Sequence, residues 1–122
     1  GKNKKILFIT GNKHESRILS LALESAGYKI MLSDDPAHLA RIFSDRKIIP
    51  DLIIYMIEAE QIRTDDLIDL FDSKEIKTPS ILITDSNQSR EEEKLVNSGI
   101  VKEHLIKPVS LREIINAIQA SI

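Results

Sequence analysis

The chain contains no cysteine, which excludes a disulfide framework, a thiolate zinc site and a cysteine nucleophile. Aromatic residues make up only 4% of the 122 residues, so few rings are present on which a flavin or a nucleobase could stack. Apolar runs stay far below the roughly 20 residues that span a bilayer. The apolar stretch after Lys2, Lys4 and Lys5 is too short for a signal peptide. We therefore expect a cytoplasmic protein that does not enter a membrane.

Neither sign of charge dominates, because 17 Lys and Arg residues face 19 Asp and Glu residues for a formal net charge of −2. That balance argues against a nucleic-acid-binding surface, which needs a basic face. His14, His38 and His104 lack the spacing of metal ligands, and we predict neither a metal site nor a cofactor. The length suits one domain and no linker divides it, so we predict a single domain over residues 1–122.

Five short apolar runs alternate with amphipathic segments along the chain. Three of these runs are almost continuously apolar, as in parallel strands that are covered on both faces. The strand candidates are residues 6–9, 28–32, 52–56, 81–83 and 104–106.

The amphipathic segments carry the spacing and the capping residues of helices. In chain order, the helix signals are the stripe Ile18, Leu19, Ala22, Leu23 and Ala26 ending at Gly27; the Asp35 cap with Pro36 at the first helical position; Leu67, Ile68, Leu70 and Phe71 after Thr64; a capping box of Ser89 and Glu92 before Gly99; and a capping box of Ser110 and Glu113 with Leu111, Ile114, Ile115 and Ile118 facing inward.

Strands that alternate with helices predict an α/β domain, and right-handed crossovers make its parallel five-stranded sheet doubly wound, with five helices. In such sheets, ligands bind at the carboxyl ends of the strands. This edge comprises residues 10–12, 56–60 and 84–86, together with Lys107 and Pro108.

The second half of the chain carries a more specific pattern. A strand ends in Thr84, a helix closes at Gly99, and a short strand ends in Lys107 and Pro108 before a capped helix. This pattern resembles the receiver domain of bacterial two-component response regulators, and the resemblance covers residues 4–122. It implies a flavodoxin-like fold with strand order 2-1-3-4-5.

Receiver domains accept a phosphoryl group on an aspartate, and the resemblance assigns each part of that site to a residue of this chain. The hydroxyl residue falls on Thr84 and the lysine on Lys107. The acidic pair falls on Thr10 and Gly11, and the acceptor aspartate falls on Met56. A thioether cannot form an acyl phosphate, and Mg²⁺ needs hard oxygen ligands such as carboxylates. The sequence therefore resembles a pseudo-receiver, with a vestigial phosphorylation pocket.

Further residues surround this vestigial pocket. Glu58 lies two positions past the acceptor, but one carboxylate without an acidic pair makes a weak Mg²⁺ site. We expect Met56 to fill core space and Lys107 to point into the pocket, paired with Glu58 or Asp85. The loss of carboxylates around the lysine predicts a pocket that favours anions. His104 stands at the position of the family's aromatic switch residue.

The resemblance implies a non-enzymatic signalling module in a two-component or phosphorelay system. Its expected partners are an output domain, a histidine kinase or a second copy of the chain. We expect these partners to contact the face formed by the last two helices and the last strand, which comprises residues 90–98, Lys102, His104 and residues 110–121.

Two nucleotide-binding alternatives stay open. The strand and turn ending in Thr10, Gly11, Asn12 and Lys13 also resemble the phosphate loop of inosine-triphosphate pyrophosphatases, although only about a dozen residues match. A small flavodoxin-like nucleotide-binding module would share the predicted fold, because fold does not fix function.

Overall fold

The computed structural model describes residues 4–11, 13–33, 36–44, 49–56, 64–85 and 90–122. Strands and helices alternate through these residues. The strands are β1 (Lys5–Thr10), β2 (Lys29–Ser33), β3 (Leu52–Met56), β4 (Ser80–Thr84) and β5 (Val101–Ile106). The helices are α1 (Lys13–Ser25), α2 (Pro36–Ser44), α3 (Thr64–Ser73), α4 (Arg90–Asn97) and α5 (Leu111–Ser121).

The five strands form one parallel sheet in the order β2-β1-β3-β4-β5. The predicted fold class and strand order are therefore confirmed. β5 begins at Val101, three residues before the predicted start. Its first residues pair with β4 at the edge of the sheet, but they are only partly buried and form no apolar run that would indicate a strand in the sequence. The predicted caps Asp35 and Ser89 lie outside the described residues.

Alternate side chains of the buried strands enter two separate cores, one on each face of the sheet. Phe8, Ile54 and Met56 pack on the face that α1 and α5 cover, together with Leu23 and Ile118. The other face packs against α3 and α4, and its core is formed by Leu7, Ile9, Ile53, Tyr55, Leu67, Phe71, Leu82 and Leu95. This two-sided burial explains why the central strands read as continuous apolar runs.

The predicted apolar stripe of α1 is wrong in part. The residues that α1 buries include Ser16, Ser20 and Leu23, whereas Ile18 is 58% exposed. Steps of four and three residues place these three on one face of the helix. The Ser20 hydroxyl donates to the Ser16 carbonyl oxygen at 2.6 Å, which satisfies a buried polar group within the helix. The apolar pattern failed here because small serines take the inward face.

The capping box that opens α5 is confirmed. The backbone N–H of Glu113 donates to the Ser110 hydroxyl oxygen at 3.1 Å, and the Ser110 N–H donates to the Glu113 carboxylate at 3.2 Å. Ile114 and Ile118 are buried as predicted, but Leu111 in the first turn is exposed. None of the helices in the described ranges is both long enough and apolar enough to cross a membrane.

Candidate functional site

The carboxyl ends of the strands bring the predicted site residues to one edge of the sheet. Thr10 and Met56 are register partners across β1 and β3. The backbone N–H of Lys107 donates to the Thr84 carbonyl oxygen at 2.8 Å, which joins the ends of β4 and β5. Gly11 follows β1 on the surface. Glu58 lies outside the described residues.

Met56 stands where the resemblance places the acceptor aspartate, and it belongs to the core. Its side chain is only 2% exposed and packs in the cluster between the sheet and helices α1 and α5. Thr10 beside it is equally buried. A buried Thr10 does not present its side chain to a nucleotide phosphate, as the pyrophosphatase alternative requires. Asn12 of that alternative lies outside the described residues.

Lys107 forms an ion pair with a residue that the sequence did not suggest. Its Nζ lies 3.1 Å from the Glu15 carboxylate in the first turn of α1. Of the two partners predicted from the sequence, Asp85 does not form this ion pair, and Glu58 lies outside the described residues. Glu15 reaches the lysine because α1 and α5 cover the same face of the sheet, so the start of α1 lies opposite the β5–α5 loop. The Glu15 side chain is 39% exposed and the Lys107 side chain is 25% exposed. Such a solvated pair contributes roughly 0–1 kcal/mol to stability.

The Glu15–Lys107 pair lies at a surface groove of about 670 Å³. The groove runs between α1 and the β5–α5 loop and is lined by Glu15, Ile18, Leu19, Asp85, Lys107, Pro108 and Val109. Two carboxylates and one ammonium group therefore line it. The predicted preference for anions rested on the loss of carboxylates around Lys107, and Glu15 places one beside the lysine.

We expect Glu15→Gln to release Lys107 for an external anion. Phosphate at tens of millimolar should shift the backbone amide resonances of Lys107 and Asp85 in this variant but leave them unchanged in the unmodified protein. The free energy of unfolding should fall by no more than about 1 kcal/mol, because the pair is solvated. Glu24→Gln is the matched control on the same helix. Equal phosphate shifts in the unmodified protein would show that Glu15 does not neutralise Lys107.

Thr84 is connected to His104 on the opposite face of the sheet from Met56. Its Oγ1 lies 2.8 Å from the Nε2 atom of His104, and the threonine is buried. His104 also lines a smaller groove of about 200 Å³ between α4 and β5, with Glu92, Glu93, Val96 and Asn97. The hydroxyl residue of the predicted site is thus linked to the α4–β5 surface.

The donor set at the edge does not fit Mg²⁺. The positions that would supply an acidic pair and the acceptor hold a threonine, a glycine and a buried methionine. Among the described residues, no group of three or more His, Asp or Glu side chains is placed to hold a metal ion. Mg²⁺ in proteins usually takes one or two carboxylates. The groove at this edge is lined by the carboxylates of Asp85 and Glu15, and Glu15 is already paired with Lys107.

Sequence reasoning missed two contacts of this site. The signal for Glu15 was its place in the first turn of the helix after β1, combined with the strand order, which sets that turn against the β5–α5 loop. The signal for the Thr84–His104 bond was the placement of both residues on adjacent strands, where His104 pairs with Leu82, two residues before Thr84 on the same face of β4. Neither contact follows from the local pattern, because each joins residues that are distant in sequence.

Solved structures that are similar to this fold include several response-regulator receiver domains. The chain covers 100% of a CheY-like response regulator from Mesorhizobium loti, with 99% of its own length aligned, 16% sequence identity and a TM-score of 0.77. It covers 94% of the signal receiver domain of an HD domain-containing protein from Pseudomonas fluorescens, with 98% of its length aligned, 20% identity and a TM-score of 0.80.

A third structure is the receiver domain of a sensor histidine kinase from Pseudomonas aeruginosa, which holds a magnesium ion in its active-site cleft. The chain aligns with it over 98% of its length and covers 97% of it, at 19% identity and a TM-score of 0.79. No protein-family model and no curated protein matches the sequence. The chain therefore has the fold of response-regulator receiver domains, and that predicted likeness is confirmed at the level of the fold.

Proposed function

We propose that the chain is a cytoplasmic receiver-like signalling domain of a two-component or phosphorelay system that acts through protein–protein contacts. In this proposal it catalyses no reaction of its own and carries no phosphoryl group at the usual site. The observation that carries the proposal is the buried Met56 at the acceptor position of a receiver fold. The ion pair that occupies Lys107 and the poor fit to Mg²⁺ support it.

The face of α4, β5 and α5 is the proposed contact surface. It exposes large apolar side chains at Val96, Ile106, Leu111 and Ile122, each about two-fifths exposed. β5 is an edge strand of the sheet, and an edge strand leaves backbone groups available for pairing with another chain. The partner proposed for this face is a second copy of the chain, and the same surface would serve an output domain or a histidine kinase.

A pair of surface variants tests this contact. We expect sedimentation velocity to show concentration-dependent self-association of the unmodified protein and its loss in Ile106→Glu, because a carboxylate would be desolvated at the contact. Leu21→Glu is the matched control, since Leu21 is 60% exposed on α1, outside the proposed face. A monomer at every concentration, or loss of association in Leu21→Glu alone, would contradict the proposed self-contact.

A further inference from the structure

The hydrogen bond between Thr84 and His104 joins a buried hydroxyl to the only type of side chain that changes its charge near neutral pH. Thr84 is 1% exposed, and its Oγ1 lies 2.8 Å from His104 Nε2. His104 is half-buried at the groove between α4 and β5. Imidazole side chains ordinarily change charge between about pH 5 and pH 8.

The burial of Thr84 decides which atom donates. Among the described residues, the hydrogen-bond partner of the Thr84 side chain is His104. A buried hydroxyl proton without an acceptor is costly, so the hydroxyl donates its proton to Nε2. That arrangement requires a neutral imidazole with its proton on Nδ1, because a nitrogen that carries a hydrogen cannot accept.

We propose that His104 is a proton-operated switch that connects the buried Thr84 to the α4–β5 groove. When Nε2 takes a proton from solvent, both ring nitrogens become donors, and the bond from the Thr84 hydroxyl can no longer form. A reversed bond, from Nε2–H to Oγ1, would leave the Thr84 proton without an acceptor among the described residues. Protonation therefore releases Thr84 from His104 in its present geometry.

The charged groups around His104 give the released imidazolium a new partner. From α4, Glu92 and Glu93 line the same groove as His104. From its own strand, Lys102 lies on the same face two residues earlier, as strand alternation requires. On β4, Leu82 is the register partner of His104, and Asp85 follows Thr84 at the strand end. Acidification should therefore draw β5 and α4 together through the imidazolium and the α4 carboxylates.

The biological use of this switch rests on the proposed function, because the α4–β5 groove belongs to the face proposed for protein contact. In that setting the proton takes the place of the phosphoryl group as the input. The switch itself is a property of the Thr84–His104 pair and is measurable without any partner.

NMR of the unmodified protein tests the switch directly. At about pH 8, long-range proton–nitrogen correlations of the His104 ring should show the proton on Nδ1. Between about pH 8 and pH 5.5, the amide and methyl resonances of Thr84 and the amides of Val96 and Asn97 should move together with the His104 ring protons. A proton on Nε2 at pH 8, or a His104 titration that leaves Thr84 unchanged, would overturn the proposal.

Three variants separate the switch from general effects of pH. His104→Phe keeps an aromatic ring and should abolish the pH-dependent shifts at Thr84, Val96 and Asn97. Thr84→Val removes the hydroxyl. In this variant the pH-dependent shifts of Val96 and Asn97 on α4 should persist, but the neutral His104 ring should no longer favour the form with its proton on Nδ1. His14→Gln, on the exposed start of α1, should change none of these signals. Persistence of the Thr84 shifts in His104→Phe would contradict the proposal.

Sedimentation at both pH values distinguishes the switch from the proposed function. Self-association that changes with pH in the unmodified protein but not in His104→Phe is the expected result. If the ring and Thr84 titrate together while the protein stays monomeric, the switch stands and the proposed self-contact fails. If association is present and the ring titrates without Thr84, the contact stands and the switch fails.

Discussion

Met56→Asp is expected to lower the free energy of unfolding by about 3–5 kcal/mol, the range found for an uncompensated buried charge. Met56 is 2% exposed and packs among apolar side chains between the sheet and helices α1 and α5. Lys107, a cation at the same edge of the sheet, is paired with Glu15. The restored carboxylate therefore enters a core without a free cation among the described residues beside it.

Urea or guanidinium melts of the two proteins measure this effect, with Met56→Leu as the control. The leucine variant conserves volume and apolarity and should lose less than about 1.5 kcal/mol. Burial raises the pKa of the introduced carboxyl above its unfolded value, so its penalty is largest at neutral pH and shrinks as the pH falls through that raised pKa. An unchanged midpoint for Met56→Asp would place position 56 in solvent and contradict its core position.

The fold was predictable because its signals are local. The continuously apolar strands, the capping box of Ser110 and Glu113 and the Gly99 that follows α4 each show in a few neighbouring residues. These signals fix the alternation of strands and helices, and the handedness of crossovers limits the topologies that remain. The resemblance of Thr84 and Lys107 to receiver positions supplied the strand order.

The site was less predictable because its contacts cross the sheet. Lys107 and Glu15 are 92 residues apart in sequence, and Thr84 and His104 are 20 apart. Which acid pairs with a lysine depends on side-chain reach, so a residue adjacent to the strand end, Asp85, was chosen wrongly. The α1 stripe failed for a related reason, since close packing on the sheet selects small side chains such as Ser16 over larger apolar ones.

The second large expected effect is the absence of phosphorylation at the usual site. An acyl phosphate needs a carboxylate oxygen as nucleophile and a cation to neutralise the charge that develops on the phosphoryl oxygens. Met56 has no carboxylate oxygen to act as the nucleophile, and Thr10 and Gly11 have no carboxylates to bind Mg²⁺. Lys107 is already paired with Glu15. We therefore expect a small phosphodonor to leave the folded protein unmodified, whereas an aspartate-bearing receiver domain is labelled under the same conditions.

Intact-mass spectrometry after incubation with acetyl phosphate and Mg²⁺ tests most directly whether the domain has lost the phosphorylation chemistry of receiver domains. Glu58→Gln is treated in parallel, because Glu58 is the nearest carboxylate in sequence to the acceptor position. The expected result is an unchanged mass for both forms, with a phosphoryl adduct on the control receiver domain. A hydroxylamine-sensitive phosphoryl adduct on the unmodified protein, lost in Glu58→Gln, would show that the phosphorylation chemistry survives on a different carboxylate and would contradict the account.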